Sequence, residues 1–161
     1  IETLLLLARG EEVERIHEIR CLNELIPSFV EQVAPMAEQR GLELSIDEQA
    51  QLWVKSPSRV VQIVLINLLR NAINYTQQGS VIVRISKNSV SVIDTGIGMS
   101  PEELQHAFEP FYRGERSRAS SMGHGLGLSI VRRLVHQFDW PIRVQSNVGK
   151  GTEVTIEFFD A

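Results

Sequence analysis

The feature that most limits the fold of this chain is a helical segment with a broad apolar face, followed directly by two β-rich runs. Ser56 is a candidate N-cap and Pro57 suits the first helical turn. The residues that form the apolar face recur at helical spacing and are Val60, Val61, Ile63, Val64, Leu65, Leu68 and Leu69. We therefore predict a long helix from Ser56 toward Asn71, with one side buried.

The segment after Gly79 predicts a β-hairpin. Residues 80–86 and 89–94 are rich in β-branched residues, and only Lys87 and Asn88 separate them. A short helix is predicted next, because Ser100 and Glu103 have the spacing of a capping box. The apolar face of the long helix has to pack against the hairpin, so we expect one layer of helices and one layer of sheet.

The rest of the chain adds helices and strands that do not alternate strictly. Residues 1–8 resemble the end of a helix; further helices are predicted over 27–40 and 126–138, and strands over 18–25, 42–46, 142–146 and 152–159. This order does not fit a Rossmann sheet. We predict an α+β domain, a two-layer sandwich of helices on a mixed sheet.

Composition limits the function classes. The 161 residues are 43% hydrophobic with a net charge of −4, so an ordinary globular domain is expected and a nucleic-acid backbone is not the expected partner. Cys21 is the one cysteine, which excludes an internal disulfide and a cysteine-based metal site. The apolar run Leu4 to Ala8 is too short for a membrane helix, and a start at Ile1 suggests a piece of a longer protein.

Five short motifs follow one another between residues 67 and 152. They are NLLRNAINYT (67–76), DTGIGM (94–99), FEPFYR (108–113), GHGLGL (123–128) and GKGT (149–152). Together they resemble the N, G1, F and G2 boxes and the last glycine turn of sensor histidine kinase catalytic domains. These domains share a superfamily with DNA gyrase, MutL and Hsp-type chaperones. The resemblance implies the Bergerat ATP-binding fold, in which a mixed five-stranded sheet packs on three helices.

The resemblance implies a nucleotide site along the predicted long helix. Asn67 and Asn71 lie four residues apart and project from one face. Asn71 is expected to give a carbonyl oxygen to Mg²⁺, whereas Asn67 has a supporting or water-mediated role, and buried structural amides are the alternative for both. Tyr75 is expected to pack on adenine or in the core. Asn74 stands where the family commonly has a basic residue that reaches the phosphates, so ATP affinity is lower or other groups carry more of the charge.

Asp94 ends a predicted strand and precedes two glycines. In the resembled family the equivalent carboxylate accepts a hydrogen bond from the exocyclic amine of adenine, while an Asp that only starts a turn is the structural alternative. Gly96, Gly98 and Met99 are expected beside the base, and Thr152 in the last glycine turn completes this part of the site.

Glycines before the predicted final helix leave backbone amides available to a phosphate chain. The implied contacts in this segment are Gly123, His124, Gly125, Leu126, Gly127 and Leu128. For His124, a solvent-facing position in the lid is the first interpretation and a phosphate contact the second. The lid before it is expected to contribute Phe111, Tyr112 and Arg113, and Arg113 is the candidate for steadying the γ-phosphate during transfer. The motif does not follow a strand and lacks a Walker lysine, so it fits neither the Rossmann nor the P-loop pattern.

The same resemblance favours a kinase over a hydrolase. Related hydrolases have a glutamate four residues before the metal-binding asparagine, and here Asn67 stands there; an amide cannot act as the base for water. The implied enzyme is a protein-histidine kinase, incomplete in this chain because its acceptor is absent. His17 only superficially resembles an acceptor and is interpreted as a linker residue. The alternative is an ATP sensor without catalysis.

The implied organisation and partners follow from that family. Residues 1–15 are the end of the dimerisation and phosphoacceptor helix with its linker, and 16–161 are the catalytic domain. ATP and Mg²⁺ are the cofactors. The partners are the histidine hairpin of the same or a partner protomer and a response regulator. We expect a monomeric cytoplasmic domain without membrane contact, and a parent protein in the bacterial inner membrane.

Overall fold

A computed structural model describes residues 18–109 and 127–158 of the chain. Three long helices form one layer, α1 (Leu22–Gln39), α2 (Ser58–Asn74) and a later helix at Gly127–Gln137. A short helix, α3 (Pro101–His106), precedes that last one, which is α4. Each long helix buries one apolar stripe, because residues three and four apart lie on the same side of a helix.

Helix α1 begins earlier than the sequence pattern indicates. The predicted strand over 18–25 is wrong beyond Cys21, because Leu22 already starts the buried stripe of the helix. The stripe consists of Leu22, Ile26, Phe29, Val33 and Ala37. The prediction placed the helix start at Pro27, but here Pro27 lies inside the helix. Burial of the stripe therefore outweighs the hydrogen bond that Pro27 removes.

The start of α2 also differs from the prediction. Pro57 is the N-cap residue, and no side chain caps this helix end. The Ser56 hydroxyl donates a 3.1 Å hydrogen bond to the Pro57 carbonyl instead of accepting one from a helix amide. The predicted Ser56 cap is therefore wrong, and Ser56 is a buried residue before the helix. The capping box at Ser100 and Glu103 is confirmed.

The second layer is a mixed sheet of five strands, as the sequence predicts. The strands are β2 (Glu43–Glu48), β4 (Ser80–Ile85), β5 (Ser89–Asp94), β6 (Ile142–Asn147) and β7 (Gly151–Glu157), and β3 (Trp53–Lys55) lies elsewhere. Their order in the sheet is β2, β4, β5, β7, β6. The β2–β4 pair is parallel and the other pairs are antiparallel.

A small second sheet was not predicted. Strand β1 (Ile19–Cys21) pairs antiparallel with β3, and Cys21 lies opposite Trp53. Each of these strands has three residues, which is too short for a β-periodicity to be recognised in the sequence. This sheet places the beginning of α1 beside the beginning of α2, because the Ser56 amide bonds the Glu18 carbonyl at 3.0 Å.

The two faces of the large sheet differ. The face toward the helices is apolar and contains Val81, Val83, Ile85, Val90, Val92, Val154 and Ile156, all buried. The other face is polar; for example, Arg84 pairs with Asp47 at 3.0 Å. Asp94 lies on the helix-facing side, in register with Val81 and Thr152. A carboxylate thus stands at the edge of an otherwise apolar layer.

No helix in the described residues is both long and apolar enough to cross a membrane.

Candidate functional site

Asp94 is the centre of the site. It ends β5 and is only 8% exposed. Its Oδ1 atom accepts two backbone hydrogen bonds, from the Gly96 amide at 2.9 Å and from the Thr152 amide at 3.1 Å. Within the described part of the chain, no hydrogen bond reaches Oδ2. The backbone therefore fixes the orientation of the carboxyl group and leaves one oxygen for a ligand.

Burial changes the proton affinity of this carboxyl. Loss of hydration raises the pKa of Asp94 from 3.8 to about 6, although the hydrogen bonds from Gly96 and Thr152 act in the opposite direction. A buried acceptor of this kind binds a polar hydrogen on a flat ligand without competition from bulk water. The raised pKa makes that binding sensitive to pH in the range near 6.

The loop after Asp94 requires glycine at two positions. A Cβ atom at Gly96 would overlap the Tyr75 carbonyl oxygen, and one at Gly98 would overlap the Asn147 carbonyl oxygen. Gly98 also has a φ of 69°, which disfavours other residues. The two glycines therefore let the loop lie directly against the end of α2 and against the β6–β7 turn.

Hydrogen bonds hold the same loop on both sides. The Ile97 amide donates to the Tyr75 carbonyl at 3.0 Å, and the Ile97 carbonyl accepts from the Gly149 amide at 2.7 Å. Gly149 lies in the turn of the motif GKGT. Two motifs that are about fifty residues apart in sequence thus meet at one loop.

Ser146 is a site residue that the sequence analysis missed. Its hydroxyl accepts from the Met99 amide at 2.8 Å, lies 2.8 Å from the Thr152 hydroxyl and 3.1 Å from the Gly151 carbonyl. Ser146 therefore connects the end of the Asp94 loop to β7. A single serine in an alternating strand carries no signal by which the sequence could have identified it.

Three asparagines form a stripe along α2, because Asn67, Asn71 and Asn74 follow at i, i+4 and i+7. The Asn67 amide donates to the Ile63 carbonyl at 2.7 Å, and a Cβ on Gly127 would lie 3.7 Å from Asn67 Oδ1. Asn67 thus faces the first residue of α4. Within the described residues, the Asn71 side chain makes no hydrogen bond and remains available to a ligand.

Asn74 has a different environment. Its Oδ1 atom is buried and, among the residues that the structure describes, has no hydrogen-bond partner. An unpaired buried acceptor is unfavourable, so native proteins contain few of them. Asn74 also occupies the last position of α2, directly before Tyr75. Asn74 is half-buried overall, and its oxygen is the buried part of the side chain.

The predicted site residues thus fall into two groups joined by α2. The first group surrounds Asp94 and contains Tyr75, Gly96, Gly98, Met99 and Thr152. The second lies where the asparagine stripe meets Gly127, with Leu128 packed against the core. Helix α4 is described over Gly127–Gln137, and the predicted start at residue 126 lies outside the described residues. The predicted residues Phe111, Tyr112, Arg113, Gly123, His124, Gly125 and Leu126 lie outside the described residues.

The two histidines within the described residues, His106 and His136, lie outside the predicted site. His106 lies 2.9 Å from the carboxylate of Glu109, and His136 is exposed near the end of α4. Across residues 18–109 and 127–158, no group of three or more His, Cys, Asp or Glu side chains could hold a metal.

Comparison with known proteins finds a matching family model and named relatives. Residues 56–161 match the family model described as histidine kinase-, DNA gyrase B- and HSP90-like ATPase. Sensor histidine kinase RppB of Synechocystis is 32% identical over 98% of this chain and 37% of its own length. The Mycobacterium tuberculosis protein SenX3, a sensor-like histidine kinase, is 30% identical over 97% of this chain and 40% of its own length. The chain therefore spans two fifths or less of these relatives.

Solved structures give the same result. Full-length ShkA in complex with AMPPNP superposes with a TM-score of 0.80 and 25% identity, over 99% of this chain and 36% of that one. The mycobacterial sensor histidine kinase MprB superposes with a TM-score of 0.72 and 27% identity, over 89% of this chain and 97% of that one.

Proposed function

Because the chain belongs to the family of histidine kinase-, DNA gyrase B- and HSP90-like ATPases, we propose that it is the ATP-binding catalytic part of a sensor histidine kinase. In this proposal the chain binds ATP and donates the γ-phosphate to a histidine on a separate dimerisation domain. A response regulator then receives the phosphate on an aspartate. The observation that carries the proposal is the buried Asp94 carboxyl, with one oxygen held by backbone amides and the other available.

Asp94 would select adenine. The exocyclic amine of adenine donates a hydrogen bond, whereas guanine has a carbonyl oxygen at the same position. A buried carboxylate oxygen accepts a hydrogen bond from the amine of adenine and repels the carbonyl oxygen of guanine. Tyr75 and Met99, on either side of the loop around Gly96 and Gly98, would border the base. The loss of this bond should weaken binding by about 1–3 kcal/mol.

The phosphates would extend along the asparagine stripe toward Gly127. The first amides of α4 have no partner within the helix and carry the positive end of its dipole, which favours an anion. The Asn71 side chain, without a hydrogen bond in the described residues, fits Mg²⁺ because that ion prefers oxygen ligands and is usually shared with substrate phosphates. When bound, Mg²⁺ would neutralise charge on the phosphates. Arg113 would contribute from the lid.

Asn67 favours transfer over hydrolysis. Its amide nitrogen donates to the Ile63 carbonyl, and its oxygen faces Gly127. Neither atom can take a proton from water at neutral pH. ATP therefore lacks a base for attack by water at this position, and its γ-phosphate is kept for an acceptor brought by another domain.

The proposal extends to the parent protein. Residues 1–15 would be the end of the dimerising hairpin and its linker, and 16–161 the catalytic domain. The acceptor histidine lies on that hairpin, in the same or a partner protomer. We place the domain in the cytoplasm and the parent protein in the bacterial inner membrane.

Two measurements test the proposal. Calorimetry should detect Mg²⁺-dependent ATP binding that Asp94→Asn weakens by about 1–3 kcal/mol and that GTP does not compete with. A separately produced phosphoacceptor hairpin should then become labelled by the chain and radioactive ATP. Binding without transfer would identify a nucleotide sensor, and no binding by the folded chain would refute the ATP site.

A further inference from the structure

Arg40 lies outside every motif of the sequence, yet its backbone is tightly held. It follows the last residue of α1, and Gly41 after it has a φ of 68°. The Leu42 amide bonds the Ala37 carbonyl at 2.9 Å, and the Gly41 amide bonds the Glu38 carbonyl at 3.0 Å. This pair of bonds is a Schellman motif, so the start of the Arg40 side chain is fixed relative to α1.

The guanidinium of Arg40 reaches the end of a different helix. Nη2 donates to the Asn74 carbonyl at 3.2 Å and to the Thr76 carbonyl at 3.2 Å. Nε donates to the same Thr76 carbonyl at 3.3 Å. The side chain is partly buried, which shields these bonds from water. A cation at this place also interacts favourably with the negative end of the α2 dipole.

The end of α2 needs these bonds, because helix ends leave carbonyls without helical partners. The Thr76 hydroxyl donates to the Ala72 carbonyl at 2.7 Å. The Tyr75 carbonyl accepts from the Ile97 amide. The carbonyls on either side of Tyr75 are those that Arg40 holds. Of these three consecutive carbonyls, the first and the third therefore accept hydrogen bonds from Arg40. The middle one, that of Tyr75, accepts from the loop after Asp94.

We propose that Arg40 is a positioning residue of the nucleotide site, which acts by fixing the end of α2 on which the loop of Gly96 and Ile97 rests. It touches no ligand. By holding the Asn74 and Thr76 carbonyls, it sets the position of the Tyr75 carbonyl and, through that, of the loop that orients Asp94. This inference rests on the proposed ATP site. It says that an arginine at the end of α1 positions the part of that site that binds the base.

Arg40→Met tests the inference, because methionine keeps much of the apolar stem and removes the donors. We expect adenosine, ADP and ATP all to bind about five- to tenfold more weakly, since the change affects the base end alone, and tenfold corresponds to 1.4 kcal/mol. Hydrogen exchange of the Ile97 amide should accelerate relative to that of Val92 in the core of β5. A loss that grows with the number of phosphates would overturn the proposal.

Gly41→Ala is the matched control. It lowers stability at the same turn because the φ of 68° is unfavourable for alanine, but an added Cβ meets no atom within 4 Å, so both bonds of the Schellman motif and the Arg40 guanidinium stay in place. At equal loss of thermal stability, Gly41→Ala should leave nucleotide affinity and Ile97 exchange close to those of the parent chain. Equal weakening by both variants, or by neither, would overturn the role of Arg40. Absence of ATP binding by the parent chain would instead refute the proposed function.

Discussion

The Thr152 amide donates a 3.1 Å hydrogen bond to Oδ1 of Asp94, although the two residues are 58 positions apart in the sequence. Their strands are neighbours, and Asp94 lies opposite Thr152 in the register of β5 and β7. The bond comes from the main chain, so the side chain at position 152 is not needed for it. The sheet register itself therefore orients the carboxyl group that we assign to adenine recognition.

Adenosine binding should weaken as the pH falls through about 6. The pKa of Asp94 is raised to about 6 by burial, and the ionised carboxylate is the stronger acceptor for an amine. If only the ionised form binds, affinity at pH 5 should be about tenfold lower than at pH 8. Adenosine is the ligand of choice because phosphate groups titrate in the same range. NMR titrations at a series of pH values measure this, and a flat profile would contradict the assignment.

Asp94→Asn should stabilise the fold while it weakens nucleotide binding. Because the folded pKa of about 6 lies above the ordinary value of 3.8, the parent chain gains stability as the pH falls from about 6 to about 4. Above that window the buried charge is unfavourable by up to about 3 kcal/mol, as an order of magnitude. The asparagine oxygen can still accept from the Gly96 and Thr152 amides. Urea unfolding at pH 7 and pH 4 should therefore show a gain that is larger at pH 7.

If the stability gain of Asp94→Asn were the same at both pH values, it would not come from the titration of Asp94, and the prediction would be wrong. Thr152→Val is a suitable comparison, because it keeps the amide bond to Asp94 and removes only the hydroxyl that lies beside Ser146. Its stability relative to the parent chain should not depend on pH between 4 and 7.

Asn74→Lys should strengthen the binding of ATP and ADP but not of adenosine. The substitution removes a buried oxygen that has no hydrogen-bond partner and places a cation at the end of the asparagine stripe. We expect about three- to tenfold tighter binding of ATP, decreasing at high salt because the gain is electrostatic. Calorimetry with the three ligands measures this. Asn74→Met is the uncharged control, and an equal gain from methionine would show that the charge plays no part.

Part of the candidate site can be predicted from the sequence, and the residues that are missed have identifiable causes. Asp94, Gly96 and Thr152 are predicted because their motifs resemble those of a family, and hydrogen bonds bring the three residues together. Ser146 is missed, because its role comes from the register of β6 with β7. Arg40 is missed for the same reason, since its contacts lie 34 and 36 residues away in sequence.

The fold shows the same division. The hairpin of β4 and β5 and the capping box of α3 depend on neighbours in sequence, and both are confirmed. The start of α1 and the pairing of β1 with β3 depend on contacts made only in the folded chain. Pro27 favoured a later helix start, whereas the buried side chain of Leu22 requires an earlier one.

Asn67→Glu should increase ATP hydrolysis. The position faces the first residue of α4, where we place the phosphates, and a glutamate there can accept a proton from water. The substitution also removes the bond to the Ile63 carbonyl, so a lower melting temperature is expected. We predict at least about a tenfold rise in phosphate release, below the range typical of a well-placed general base. Asn67→Gln, which has the same length and no basic carboxylate, should leave the rate at background. If Asn67→Glu binds ATP and releases no more phosphate than Asn67→Gln, then the missing base does not explain why this site would favour transfer.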